Sequence, residues 1–135
     1  MYIPETLHEN DDDGTIVESA KRLHDEVVGH KIIRVEDSGA NFDNITEITL
    51  DNGKKVIMEG TSDCCAYSYV KSFLLHPESV DHIITGVRTT EDATVWHVFA
   101  DMGDILKLSV DWSCGNPFYY GYGFDILVRS PGHGA

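Results

Sequence analysis

The spacing of apolar residues changes period several times along this chain, and each change marks an element. Ile16, Ala20, Leu23 and Val27 recur at helical spacing, which predicts an amphipathic helix over 16–28. Thr15 suits its N-cap, with Glu18 as the capping-box partner three residues on. Gly29 suits the C′ position, where a left-handed backbone ends a helix. The period then drops towards two. Lys31-Ile32-Ile33-Arg34-Val35-Glu36 is short and β-branched and reads as a strand. Residues 45–50 and 54–59 read as two more, joined by Asp51-Asn52-Gly53, because Asn-Gly accepts the positive φ angles of a tight hairpin.

Helical spacing returns after Gly60-Thr61. Ala66, Tyr69, Val70, Phe73 and Leu74 lie three and four apart, which predicts a second, short helix over 65–75, ended by His76-Pro77. Four strands follow, at 82–89, 94–100, 105–112 and 122–129. Thr90-Glu91-Asp92 and Asp101-Met102-Gly103 are their turns. Leu106, Leu108, Val110 and Trp112 share one strand face, as do Phe124, Ile126 and Val128. The order α-β-β-β-α-β-β-β-β predicts an α+β fold: a single domain, mainly antiparallel β-sheet, with two helices covering one face. An acidic arm over 1–14, the domain over 15–129 and a Gly/Pro-containing tail over 130–135 are the expected divisions.

With 135 residues, the chain is long enough to build one core without crosslinks. The net charge of −13 changes the picture more. It opposes binding to nucleic acid phosphates, and it suits a basic protein partner, cations, or mimicry of DNA. No apolar run is long enough to span a membrane as a helix, and the first residues lack a secretory pattern, so a cytoplasmic location is expected.

Candidate chemistry centres on Ser62-Asp63-Cys64-Cys65. Neighbouring Cα atoms lie ~3.8 Å apart, whereas a disulfide wants about 4.4–6.8 Å, so Cys64 and Cys65 are poor partners for each other. Adjacent cysteines also lack the intervening turn that lets two ligands converge on zinc. The expected helix places them at its N-terminus, which lowers a thiol pKa, but Asp63 opposes that effect. His97 or His82 is the base that a catalytic cysteine would need. Residues 9–20 imitate half a calcium loop, with Ala20 where the bidentate acid belongs. No metal or cofactor is expected.

Two further features point to binding. Gly60-Thr61-Ser62 before a helix start is a generic anion site, with Lys71 on that helix and Arg88 and Arg129 on strands as nearby cations. An ordinary helix cap by Ser62 or Asp63 explains the same residues. Phe118, Tyr119, Tyr120 and Tyr122, interleaved with Gly115, Gly121 and Gly123, form a loop able to stack on a base, to meet a protein, or to close the end of a sheet.

Ile48-Thr49-Leu50-Asp51-Asn52-Gly53, Ser62-Asp63-Cys64-Cys65-Ala66-Tyr67, and the strand Leu106–Trp112 leading to Asn116 and Tyr119-Tyr120-Gly121-Tyr122-Gly123 resemble a family of small uncharacterised domains found in actinobacteria and their phages. The resemblance runs from Val28 to Arg129 and implies host-facing roles, such as binding a host protein or a nucleotide signal. The expected function is therefore non-enzymatic sequestration of a small nucleotide-like ligand by Thr61, Ser62, Asp63, Cys64, Cys65, Lys71, Arg88, Arg129 and the aromatic loop. The alternatives are an acidic inhibitor of a host protein and a cysteine-dependent or metal protein. Exposed sheet edges also make a homo-oligomer an open expectation.

Overall fold

A computed structural model describes residues 15–39, 43–62, 67–91, 94–101, 103–113 and 124–130. These residues form one α-helix, α1 (Thr15–Val27), and nine strands: β1 (Ile32–Ser38), β2 (Ile45–Leu50), β3 (Lys55–Glu59), β4 (Thr61–Ser62), β5 (Tyr67–Leu75), β6 (Gly86–Thr90), β7 (Val95–Ala100), β8 (Gly103–Ser113) and β9 (Asp125–Arg129). A 3-10 turn at Pro77–Ser79 follows β5. The strands make two sheets, of order β1-β2-β3-β9 and β4-β5-β8-β7-β6, with every pairing antiparallel.

The α+β class and the dominance of antiparallel sheet agree with the sequence expectation. The first helix lies within one residue of its predicted bounds. Leu23 and Val27 are fully buried and Ser19 nearly so, while Lys21, Arg22 and Asp25 face solvent. Gly29 has φ +89°, the left-handed backbone its position called for. Its N–H donates to the Ile84 carbonyl at 2.9 Å, and the Ile84 N–H donates to the His30 carbonyl at 2.9 Å, which stitches the helix end to the segment before β6. The predicted hairpin around Asn52-Gly53 joins β2 to β3, with the Leu50 N–H donating to the Lys54 carbonyl at 2.9 Å. Strand 82–89 is shorter than expected, beginning at Gly86, and the last strand begins at Asp125.

The second helix is absent among the described residues. Residues Tyr67–Leu75 are a strand, paired along their length with β8. A β-bulge explains the misleading spacing. Ser68 pairs with Trp112 and Val70 with Val110, but the register then shifts, and Phe73 pairs with Leu108 and Leu75 with Leu106. The extra residue, Lys71, turns a step of two between core-facing residues into a step of three, from Val70 to Phe73. That step imitates a helix, while Tyr67, Tyr69, Val70 and Phe73 carry the β propensity that decides the outcome.

One apolar cluster joins both sheets and the helix. It holds Leu23 and Val27 of α1, Ile48, Val56 and Met58 of the first sheet, Trp96, Val98 and Leu108 of the second, and Phe124 at the mouth of β9. The Trp96 and Phe124 rings meet edge to face at 5.2 Å and 79°. Helix α1 lies beside β6 and β9, the last strands of the two sheets, and also touches β3. It is held there by Ser19, whose Oγ accepts a hydrogen bond from the Phe124 N–H at 2.8 Å and donates to the Phe124 carbonyl at 3.2 Å. Both bonds are buried and join residues 105 apart in sequence.

Replacing Ser19 by alanine leaves the Phe124 amide without its side-chain partner inside the core, which costs about 1–3 kcal/mol. Urea unfolding of Ser19→Ala is expected to show that loss with an unchanged slope. A difference below about 0.5 kcal/mol, the level of an ordinary surface change, would show that the clasp does not hold the helix.

Candidate functional site

The expected anion site loses its geometry with the helix. Thr61 and Ser62 form β4 and pair with Ser68 and Tyr67, and the Thr61 hydroxyl bonds the Ser68 hydroxyl at 3.0 Å. Asp63, Cys64 and Cys65 fall between these paired residues in sequence and lie outside the described residues, as do Cys114, Phe118, Tyr119, Tyr120 and Tyr122. Lys71, expected on a helix, is the extra residue of the bulge in β5.

Register also separates the two arginines. Arg88 pairs with His97, one residue out of step with the core-facing Trp96, so it stands on the face of the five-stranded sheet turned away from the core. Arg129 pairs with Lys55, next to the core residue Val56, and stands on the outer face of the other sheet. The shared core lies between those two faces, and Arg88 and Arg129 do not converge.

The outer face of the five-stranded sheet carries two polar clusters. His97 is buried between two partners: Nδ1 lies 2.9 Å from Asp104 Oδ2 and Nε2 lies 2.8 Å from Thr90 Oγ1. Thr90, His97 and Asp104 come from β6, β7 and β8, so the imidazole ties three adjacent strands. With both nitrogens engaged, His97 has none to offer as general base for a thiol. Further along, Tyr69 Oη donates to Asp111 Oδ2 at 2.9 Å and Tyr67 Oη to Oδ1 at 3.3 Å. The Tyr69 hydroxyl is held above its ordinary pKa of 10.0, first by that hydrogen bond to a carboxylate and then by desolvation. Tyr67 is raised as well, first by desolvation and then by the Asp111 charge. The sequence carried a signal for Asp111, since Lys107, Ser109 and Asp111 alternate with Leu106, Leu108 and Val110. Its tyrosine partners were hidden by the helical reading of 65–75.

A tyrosine whose folded pKa is raised favours the fold below the unfolded pKa, and that advantage is lost as pH rises through the folded value. Alkaline absorbance titration of the six tyrosines is expected to show a late-ionising pair, and Asp111→Asn is expected to bring that pair back towards the rest. Identical titrations for the two proteins would contradict the assignment.

A recess of ligand size lies elsewhere, along β1 and β2 and beside Phe73 of β5 in the other sheet. It has a volume of about 520 Å³, in the range of small binding sites. Val35, Glu36, Asp37 and Ser38 of β1, Ile45 and Glu47 of β2, and Phe73 of β5 line it. Val35 and Phe73 are half-buried against the core and give the recess an apolar floor. Its rim is acidic. Glu36 pairs with Arg34, and Glu47 with Lys55 at 3.1 Å, both at the surface where such pairs are worth little; Asp37 has no ion-pair partner among the described residues. Asn44 fixes one end, its side-chain amide donating to the Ser38 carbonyl at 3.4 Å and its carbonyl oxygen accepting from the Thr46 hydroxyl at 3.1 Å. Gly39 follows with φ +78°, and a Cβ there would fall 2.2 Å from the Asp43 carbonyl oxygen, so the turn after β1 admits only glycine. None of these groove residues was singled out from the sequence, because the groove arises from the order of strands and not from any local motif.

Among the described residues, no three His, Cys, Asp or Glu side chains are grouped to hold a metal ion, and no helix is long and apolar enough to cross a membrane. These features define a two-sheet α+β domain with an acidic groove along β1. Residues 25–126 match the DUF7448 family, described as a domain of unknown function, and the chain belongs to that family. No curated protein and no solved structure matches it.

Proposed function

We propose that the protein acts by non-enzymatic binding and that its site is the groove beside β1, which takes a basic segment of a partner protein. The observation that carries this reading is the acidic rim of Glu36, Asp37 and Glu47 around a floor of Val35 and Phe73. The net charge of −13 adds a long-range field that draws a basic partner and repels nucleic acids. This is the acidic-inhibitor alternative of the sequence reading, located in the groove; the acidic arm over 1–14 lies outside the described residues. A nucleotide-like ligand fits the described residues less well, because Arg88 and Arg129 stand on opposite outer faces and the groove is anionic. The resemblance to proteins of actinobacteria and their phages favours a host protein as the partner and a host cytoplasm as the compartment.

The test separates a site from a general charge effect. An oligolysine probe is expected to bind the wild-type protein at about 50 mM salt and to be released near 300 mM, as exposed charges are screened. The triple variant Glu36→Gln, Asp37→Asn, Glu47→Gln is expected to weaken that binding at least about tenfold, a change of roughly 1.4 kcal/mol. A control that neutralises Glu78, Asp81 and Glu91, exposed acids elsewhere, is expected to change it less than about threefold. Equal losses in the two triple variants would mean that net charge alone attracts the probe.

A further inference from the structure

Resting on that reading, we infer that the partner binds as an added β-strand, pairing along the open edge of β1 over Val35–Ser38. The sheet edges are guarded unequally. Helix α1 lies beside β6 and β9. Strand β4 is two residues long, and β5 carries a bulge with Lys71 at its extra position. A bulge between Ile32 and Arg34 disrupts the first half of β1. Its second half pairs with β2 in unbroken register, from Val35 with Ile48 to Ser38 with Ile45. Strand β1 is the terminal strand of its sheet, so its other side presents peptide groups with no strand partner among the described residues. The groove runs along those same four residues. Recognition by strand addition combines these two elements: main-chain pairing for affinity and alternate side-chain pockets for specificity.

The register sets the chemistry of the partner. Val35 shares the core face with Ile48, and Glu36 shares the outer face with Glu47. Asp37 pairs with the buried Thr46 and so shares the face of Val35. A residue opposite Val35 therefore enters the apolar floor beside Phe73, while those opposite Glu36 and Asp37 meet carboxylates on the two faces of the strand. The fitting segment places an apolar residue opposite Val35 and basic residues opposite Glu36 and Asp37. The same acids argue against a second copy of this chain as the occupant, since pairing β1 with itself brings Glu36 and Asp37 of one chain against those of another.

The probe is a blocked six-residue peptide with one valine set among lysines, compared with two versions N-methylated on alternate amides, one set for each edge of the strand. Titration calorimetry is expected to show binding of the parent peptide. One methylated version is expected to lose at least about tenfold in affinity and the other to stay within about twofold, because only one set of amides faces β1. Two methylated versions that both bind like the parent would overturn strand addition and leave the acidic groove standing. Failure of the parent peptide and of oligolysine alike would overturn both readings. Sedimentation of the free protein closes the remaining route: a monomer is expected, and a dimer broken by Glu36→Pro would show that a second copy owns the edge.

Discussion

The pair of hydrogen bonds between Ser19 and Phe124 is the constraint on which the rest of this structure depends. It fixes a helix near one end of the domain to the first residue of the last strand region, and so closes the chain on itself. Through Phe124 it reaches Trp96 and the centre of the shared core. Its geometric consequence is larger than its energy. With α1 held beside β6 and β9, one side of the two-sheet arrangement is covered, and the side carrying β1 and β5 is left to form a groove.

Charge gives that open side its character. The chain is strongly acidic, and the groove rim concentrates the same sign over an apolar floor. Anionic edges resist pairing with themselves, which keeps an unpaired strand from becoming an aggregation template, and they still admit a partner of opposite sign. The polar clusters on the outer face of the other sheet have a different part. Thr90, His97 and Asp104 are linked by hydrogen bonds across three strands, with Asp104 Oδ1 buried and unpartnered, and Tyr67, Tyr69 and Asp111 are linked across two. They bind the strands of that sheet together.

Much of the fold was legible in the sequence because its signals are local. Helix α1, the Asn52-Gly53 hairpin and the alternation of Leu106, Leu108 and Val110 each follow from spacing and turn chemistry. Strand β5 was not legible, because the bulge at Lys71 shifts its inward positions into helical spacing, and only pairing with β8 reveals the shift. The candidate site suffered more, since the expected anion site was built on that helix. Arg88, Arg129 and Lys71 looked like convergent cations only while the sheet order was unknown. Val35 and Glu36 read as the end of an ordinary strand, Asp37 and Ser38 lay beyond its expected bounds, and nothing local marks a strand as an edge. Ser19 was invisible for a similar reason: a serine on a helix shows no preference for a partner 105 residues away.

Hydrogen exchange on the free protein, followed amide by amide, tests the central claim most directly. Successive peptide N–H groups of a strand point to opposite edges. The account predicts that alternate amides among Val35–Ser38 exchange rapidly while the amides between them, and those of β3 in the sheet interior, remain protected. Uniform protection of all four would show that the edge is already covered, and would contradict the open groove on which the functional reading stands.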